Sequence, residues 1–223
     1  MTWCLTTVGI PGDLYWTDIR PITEELFIEY ARRHEMAYEI KLCHPEDLDW
    51  MAGTIAGALG TAAVYTSIPR RRQLLDEYEG IIYCDLDAVI LDLDRDVREL
   101  VTDNVPVAMP DTLSGNVQVL KSCDFTKWML DECWAERGAW YNKQWAEEGF
   151  FKELFGWDWD YAHGDPARFL SPTEYTHNLV ACQHLSNHYT DPRVHQSWAM
   201  NPGGTHPFTA RLAKVREYAL RNR

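Results

Sequence analysis

Two aspartates separated by one residue, Asp85 and Asp87, follow directly on the wholly apolar run Ile81-Ile82-Tyr83-Cys84. Such a run reads as a short strand covered on both faces, and ligands of open α/β sheets bind outside the carboxyl ends of their strands. Held at that exit, the two carboxylates stand too close to stay ionised comfortably without a cation. A hard divalent ion with oxygen ligands, Mg2+ or Mn2+, relieves the repulsion and can bridge to a diphosphate.

Three chemistries compete for this motif. The first is metal-dependent sugar transfer from a nucleotide sugar, with Asp85 and Asp87 on the ion. The second is a haloacid-dehalogenase-type phosphatase, whose Asp-x-Asp-x-Thr/Val pattern is matched by Asp85-Leu86-Asp87-Ala88-Val89; there Asp85 is the covalent nucleophile and Asp87 the general acid. The third is a calcium loop opening at Asp92-Leu93-Asp94-Arg95-Asp96. It fails, because Val97 stands where an EF-hand needs glycine and no glutamate closes the loop. Context favours the first over the second. A phosphatase of that type carries its motif on the first strand, whereas about eighty residues of strand and helix pattern precede this one.

Those preceding residues must supply the scaffold. Trp3 to Ile10 is a short, β-branched apolar run stopped by Pro11-Gly12-Asp13, a buried strand leaving into a loop. Ile22, Leu26, Tyr30 and Ala31 recur at helical spacing after Pro21, predicting a helix to about His34. Ala37 to Leu42 reads as a second strand. Helices are predicted over Leu48–Ala63 and Ile68–Tyr78, the latter with Pro69 in its first turn, and Gly80 ends it. Strand alternating with helix predicts an α/β nucleotide-binding sheet. Further strands are expected at Val105–Met109 and Val117–Leu120, and helices at Phe125–Arg137, Gln144–Phe155 and Pro207–Arg221. From Gly156 onward the chain turns Trp, His, Pro, Asp and Asn rich, a loop-dominated stretch of the kind that carries binding residues. No linker separates domains, so residues 1–223 read as one domain, with a nucleotide-binding half over 1–104 and a sugar- and acceptor-binding half over 105–223.

Composition narrows the partners. Of 223 residues, 46% are hydrophobic and 25% charged, the balance of a folded globular protein and not of a disordered, collagenous or coiled-coil chain. The formal net charge of −13 repels phosphate backbones and anionic lipid, which disfavours extended nucleic-acid or membrane-surface binding. The N-terminal residues lack a basic segment before a long apolar one, and no stretch reaches the ~18 apolar residues of a membrane span. Six cysteines without close pairing fit a reduced, cytoplasmic setting. Ten Trp and eleven Tyr exceed core needs and offer a sugar- or base-stacking cleft.

Several segments, in order, resemble the GT-A glycosyltransferases of the galactosyl/mannosyl/xylosyltransferase type typified by fungal Golgi mannan enzymes, with kinship to the glycogenin-like group. They are Tyr30-Ala31-Arg32-Arg33-His34 with Tyr38, Leu74 through Asp87, Ser114-Gly115-Asn116-Val117-Gln118-Val119-Leu120-Lys121, and Trp145-Ala146-Glu147-Glu148-Gly149-Phe150-Phe151. The resemblance implies a mixed, mostly parallel GT-A sheet flanked by helices, and retaining transfer from a nucleoside-diphosphate sugar, UDP-sugar foremost. It implies Mn2+ or Mg2+ on Asp85, Asp87 and a late histidine, His195 or, as a second choice, His206. It puts Thr6, Thr7 and Val8 at the nucleotide, and Leu86, Ser114 and Asn116 also at the nucleotide-sugar donor, the last two at its sugar. The family's basic residue before the motif is Ser67 here, so Arg70, one turn on, is expected to reach the diphosphate. The family's glutamine near the anomeric carbon is Glu148 and its adjacent acid Glu147, a carboxylate in place of an amide. The acceptor is a glycan, a small molecule or, were a basic face formed by Arg70 to Arg72 or Arg211 to Arg223, a modified nucleobase.

Overall fold

The computed structural model describes residues 2–43, 59–110, 113, 115–140, 146–156, 173–182, 184–188, 196–201 and 207–221. The first strand, β1 (Trp3–Gly9), is buried along its whole length. Helix α1 (Arg20–Arg33) returns the chain to β2 (Ala37–Leu42), which lies parallel to β1. Helix α2 (Leu59–Glu77) leads into β3 (Gly80–Cys84), parallel to β1 on its other side. The described end of the first predicted helix, from Leu59, and the second predicted helix are thus one element, with Pro69 inside it and not in a first turn; the rest of the first, residues 48–58, lies outside the described residues. Tyr65, Ile68, Leu74 and Leu75 are all buried along α2, and packing of that stripe outweighs the roughly 3 kcal/mol an interior proline costs a helix.

Directly after the Asp-x-Asp turn comes β4 (Val89–Ile90), followed further on by β5 (Val107–Pro110) and β6 (Val117–Lys121). Helices α3 (Asp124–Ala135), α4 (Arg137–Trp140) and α5 (Ala146–Phe155) come next. Three short strands, β7 (Leu179–Cys182), β8 (Ser186–His188) and β9 (Ala199–Asn201), and helix α6 (Phe208–Arg221) complete the described fold. The main sheet runs β2-β1-β3-β6-β5-β7, and a small one runs β4-β9-β8. β3 is parallel to β1 but antiparallel to β6, so the sheet is mixed, as expected, and β3 itself has only one parallel neighbour.

Side chains of the main sheet split between two cores. Leu5, Ile82, Cys84, Val117 and Val119 face α1 and α6, while Cys4, Ile81, Val107 and Leu120 face the side covered by α2, α3 and α5. Ile81 and Ile82 are fully buried on opposite faces, and each contributes roughly 1.5–3 kcal/mol by that burial. The strand that delivers the aspartates is therefore fixed from both sides. All six cysteines are free thiols. No helix among the described residues is long and apolar enough to cross a membrane.

Candidate active site

Beyond Cys84 the chain turns sharply, Ala88 N–H donating to the Asp85 carbonyl at 2.9 Å. Three elements pin this turn. Asp85 N–H donates to the Asn116 carbonyl at 2.8 Å, continuing the β3–β6 ladder past its last pair. Thr23 of α1 donates its hydroxyl to the Leu86 carbonyl at 2.6 Å. The third support is β4, which pairs antiparallel with β9 in the register Val89↔Met200 and Ile90↔Ala199.

That last register carries Asn201 to Asp87. Asn201 Nδ2 donates to Asp87 Oδ1 at 3.4 Å, and both residues are buried. From α6, Arg211 Nη1 stands 3.6 Å from Asp87 Oδ2, and it also donates to the Tyr15 hydroxyl. Burial first, then the charge of Asp85, pushes the Asp87 carboxyl above its ordinary range, with Arg211 opposing. Asp85 is raised by burial as well, against the Tyr83 hydroxyl, which donates to its Oδ1 at 2.9 Å, and against Arg71 and Arg211. The two acids share one desolvated place at the strand exit.

A second carboxylate pair faces them. Glu147 and Glu148 open α5, and Asp85 is among the charges that act on Glu147. Gly115 fits between these parts because it has no side chain: a Cβ there would lie 2.8 Å from Glu147 Oε1. Its N–H donates to Glu148 Oε1 at 3.2 Å. Arg71 of α2 is buried beneath the cluster, its guanidinium 4.1 Å from the centre of the Tyr83 ring and its Nη1 donating to Gln118 Oε1 at 2.9 Å.

Burial, then Glu148, then Asp85 raise Glu147 from 4.5 to about 8, with Arg71 opposing. The folded protein therefore holds a proton there that the unfolded chain releases. The stability this contributes is fully present below pH about 4.5 and is lost as pH rises through about 8. Glu147→Gln is neutral at every pH. Urea unfolding is expected to show E147Q and wild type alike at pH 5, with E147Q the more stable at pH 9; equal midpoints at both would contradict a buried, proton-holding Glu147.

Several expected site residues fall differently. Thr6, Thr7 and Val8 are buried in the last part of β1, where the parallel register sets Thr6 beside Tyr83, two residues before Asp85. What the exit presents is Gly9 and the turn after it. A Cβ on Gly9 would lie 2.8 Å from the Trp16 ring, and the Arg20 guanidinium lies over that ring, 3.9 Å from its centroid. Arg70 is not brought to the aspartates. It is clamped by Glu39 of β2, at 2.6 Å from each of two nitrogens, and by Glu77 at 2.8 Å; Arg71, the next residue, is the one turned inward. Arg72 is likewise paired, with Asp76 and Asp131. On α6, Arg221 and Lys214 pair with Glu217 while Arg211 points to Asp87.

Asn116 and Leu86 do sit at the motif, and Asn116 Oδ1 is buried with no hydrogen-bond partner among the described residues. Ser114, His195 and His206 lie outside the described residues. Among the described residues no group of three His, Cys, Asp or Glu side chains is placed to hold a metal ion; the residues that reach Asp87 are Asn201 and Arg211. The signal for Asn201 was in the sequence: Ala199-Met200-Asn201 before Pro202-Gly203-Gly204 repeats, in brief, the pattern of an apolar run ending in a polar residue at a turn. Arg71 and Arg211 carried no such mark. An open groove of about 650 Å³ lined by Trp3, Tyr78, Glu79, Arg98 and Lys121 lies at the opposite end of β3 and holds none of these groups.

No family model matches the sequence, and no curated protein does. Solved structures match it in fold. A glycosyltransferase involved in the glycosylation of the major capsid of PBCV-1 is 12% identical, with a TM-score of 0.65 over 97% of this chain and 100% of its own. The galactosyltransferase LgtC, solved with donor and acceptor sugar analogs, is 9% identical at TM-score 0.56, over 97% and 95%. The apo-form glycosyltransferase GlyE of Streptococcus pneumoniae is 11% identical at TM-score 0.53, over 99% of this chain and 60% of that one. The fold is thus that of the GT-A glycosyltransferases.

Proposed function

We propose that this protein is a metal-assisted glycosyltransferase that moves a sugar, with retention, from a nucleoside-diphosphate sugar to a glycan, small-molecule or nucleobase acceptor. The observation that carries this reading is the meeting, at the exit of β3, of Asp85 and Asp87 with Asn201 from β9 and with the Glu147–Glu148 pair from α5. The resemblance of the motif series to the galactosyl/mannosyl/xylosyltransferase and glycogenin-like families supports it, as do the structures of like fold. UDP-sugars are the first donors to test.

The residues fit a divalent ion. Two carboxylates held near each other out of water, with a carboxamide beside them, form an oxygen donor set suited to Mn2+ or Mg2+. Asp85, Asp87 and Asn201 would hold the ion, Asn201 through its carbonyl oxygen once the amide is turned. When bound, such an ion neutralises charge developing on a leaving diphosphate. The chain's own groups do the rest. Arg211, 3.6 Å from Asp87, would serve the same phosphates, and Asn116 Oδ1, without a partner among the described residues, would accept from a sugar hydroxyl. In this reading Glu148 is the anion that would stabilise positive charge at the anomeric carbon. The phosphohydrolase alternative gains nothing from the fold, and the Asp85 carboxylate is engaged by the Tyr83 hydroxyl of its own strand.

A thermal-unfolding series with UDP and GDP, each with and without Mn2+, tests the binding step. A ligand at a hundred times its dissociation constant stabilises by about 2.7 kcal/mol, which is several degrees for a chain of this size. That shift is expected only when nucleotide and metal are both present. Asn201→Ala is expected to weaken Mn2+ binding about tenfold, read from free Mn2+ by electron paramagnetic resonance. No shift with any nucleoside diphosphate, with or without metal, would contradict the proposal.

A further inference from the structure

The glycosyl-transfer reading leaves one buried cation of α5 without a task. Lys152 is only 2% exposed. Lysine is almost never buried this far unless it is paired, because stripping its ammonium of water costs several kcal/mol that only a well-placed anion offsets. Its partner is Glu148, one helical turn earlier, with Lys152 Nζ 3.8 Å from Glu148 Oε2. On a solvent-facing helix such an i,i+4 pair is worth a few tenths of a kcal/mol. Here the pair is turned toward the protein, at the end of the helix that faces the aspartates.

The two oxygens of Glu148 are held from different elements. Oε1 accepts from the Gly115 N–H of the segment between β5 and β6, and Oε2 faces Lys152 of its own helix. The remaining charged groups near this corner are Glu147 on α5, Asp85 from the end of β3 and Arg71 from α2. Glu147 and Asp85 are acids whose charging burial opposes, and Arg71 acts on both from beneath. Burial draws the Lys152 ammonium toward losing its proton, and Glu148 opposes that. The arrangement sorts two adjacent carboxyls into different roles: one next to a cation, the other among acids.

We infer that Lys152 is a positioning residue, whose buried ammonium holds the Glu148 carboxylate charged and oriented toward the anomeric carbon of the donor sugar. This rests on the glycosyl-transfer reading for the identity of the substrate, but the ion pair can be tested apart from it. No bond to sugar is required of Lys152. Its effect is on the charge and aim of Glu148, and it explains how a carboxylate is maintained where the similar family has a neutral amide.

The test compares Lys152→Met, which keeps length and volume without charge, with Lys152→Arg, which keeps charge. K152M is expected to lower kcat at least 30-fold while donor KM changes less than threefold. It is also expected to move the acid limb of the pH profile upward by about one unit or more, since loss of a neighbouring cation lets a carboxyl keep its proton longer. K152R is expected to restore most of the rate and the profile. In a Glu148→Gln background, K152M should add little. Equal damage in both backgrounds, an unmoved pH profile, or no rescue by arginine would overturn the role. Should K152M not fold, Lys152→Gln serves in its place. Selective ¹³C-carboxyl labelling separates the two claims: a Glu148 titration identical in wild type and K152M overturns the positioning role whatever the activity. Wild-type protein that turns over no nucleoside-diphosphate sugar, yet shows the shifted Glu148 titration in K152M, overturns the substrate assignment and leaves the ion pair standing.

Discussion

Replacing Asp87 by alanine is expected to reduce turnover of the nucleotide sugar by at least about a thousandfold, equivalent to ~4 kcal/mol of transition-state stabilisation. Asp87 is the point where the proposed ion, Asn201 and Arg211 converge. Its removal deprives the metal of one of two carboxylates and leaves Arg211 with no anion at that position. The variant is also expected to lose the metal-dependent part of the nucleotide thermal shift. The folded state itself should survive, because alanine removes a carboxylate that is held out of water against a neighbouring one. Asp87→Asn, which keeps the shape, is expected to lose nearly as much activity while unfolding at or above the wild-type temperature. Activity within tenfold of wild type in both variants, measured at saturating Mn2+, would show that the Asp-x-Asp pair does not carry the reaction.

The second large effect is on stability. Arg71→Met is expected to destabilise the protein by roughly 3–5 kcal/mol, the usual cost of removing one partner from a buried set of charges. For a chain of this length that is on the order of a 10 °C fall in melting temperature. Arg71 is 1% exposed, stacks on Tyr83, is bonded to Gln118 and lowers the carboxyls of Asp85 and Glu147. Without it, both acids sit buried with less compensation. The penalty is therefore expected to be larger at pH 8 than at pH 5, where protonation already relieves Glu147. Arg71→Lys keeps the charge but not the planar stack or the fork of donors, and is expected to recover only part of the loss. A melting temperature within 2 °C of wild type for R71M at pH 8 would contradict this account.

What could be read from the chain alone was the part written in local patterns. Apolar runs bounded by Gly and Pro predict β1, β3 and β6 to within a residue or two, and helical spacing predicts α1 and α6. The order of those elements implies the α/β sheet, and the position of Asp85 and Asp87 after a two-faced apolar strand points to a ligand at its exit. These are legible because strand and helix periods, and the placing of turns, are properties of neighbours in sequence. Pro69 misled for the same reason: its local effect predicts a helix start, whereas the buried stripe of α2 decides that the helix continues through it.

Tertiary structure alone decided which side chains share the site. β4 and β9 are two and three residues long, too short to carry a period, yet their register is what sets Asn201 beside Asp87. Arg70 and Arg71 are adjacent in sequence and indistinguishable by type, and only the face of α2 that each occupies sends one to Glu39 and the other beneath Tyr83. Arg211 reads as one of several basic residues on a terminal helix until packing of α6 turns it toward Asp87. A charge's role depends on what surrounds it within a few ångströms, and those surroundings are assembled from segments distant in chain order, as Asn201 and Asp87 are.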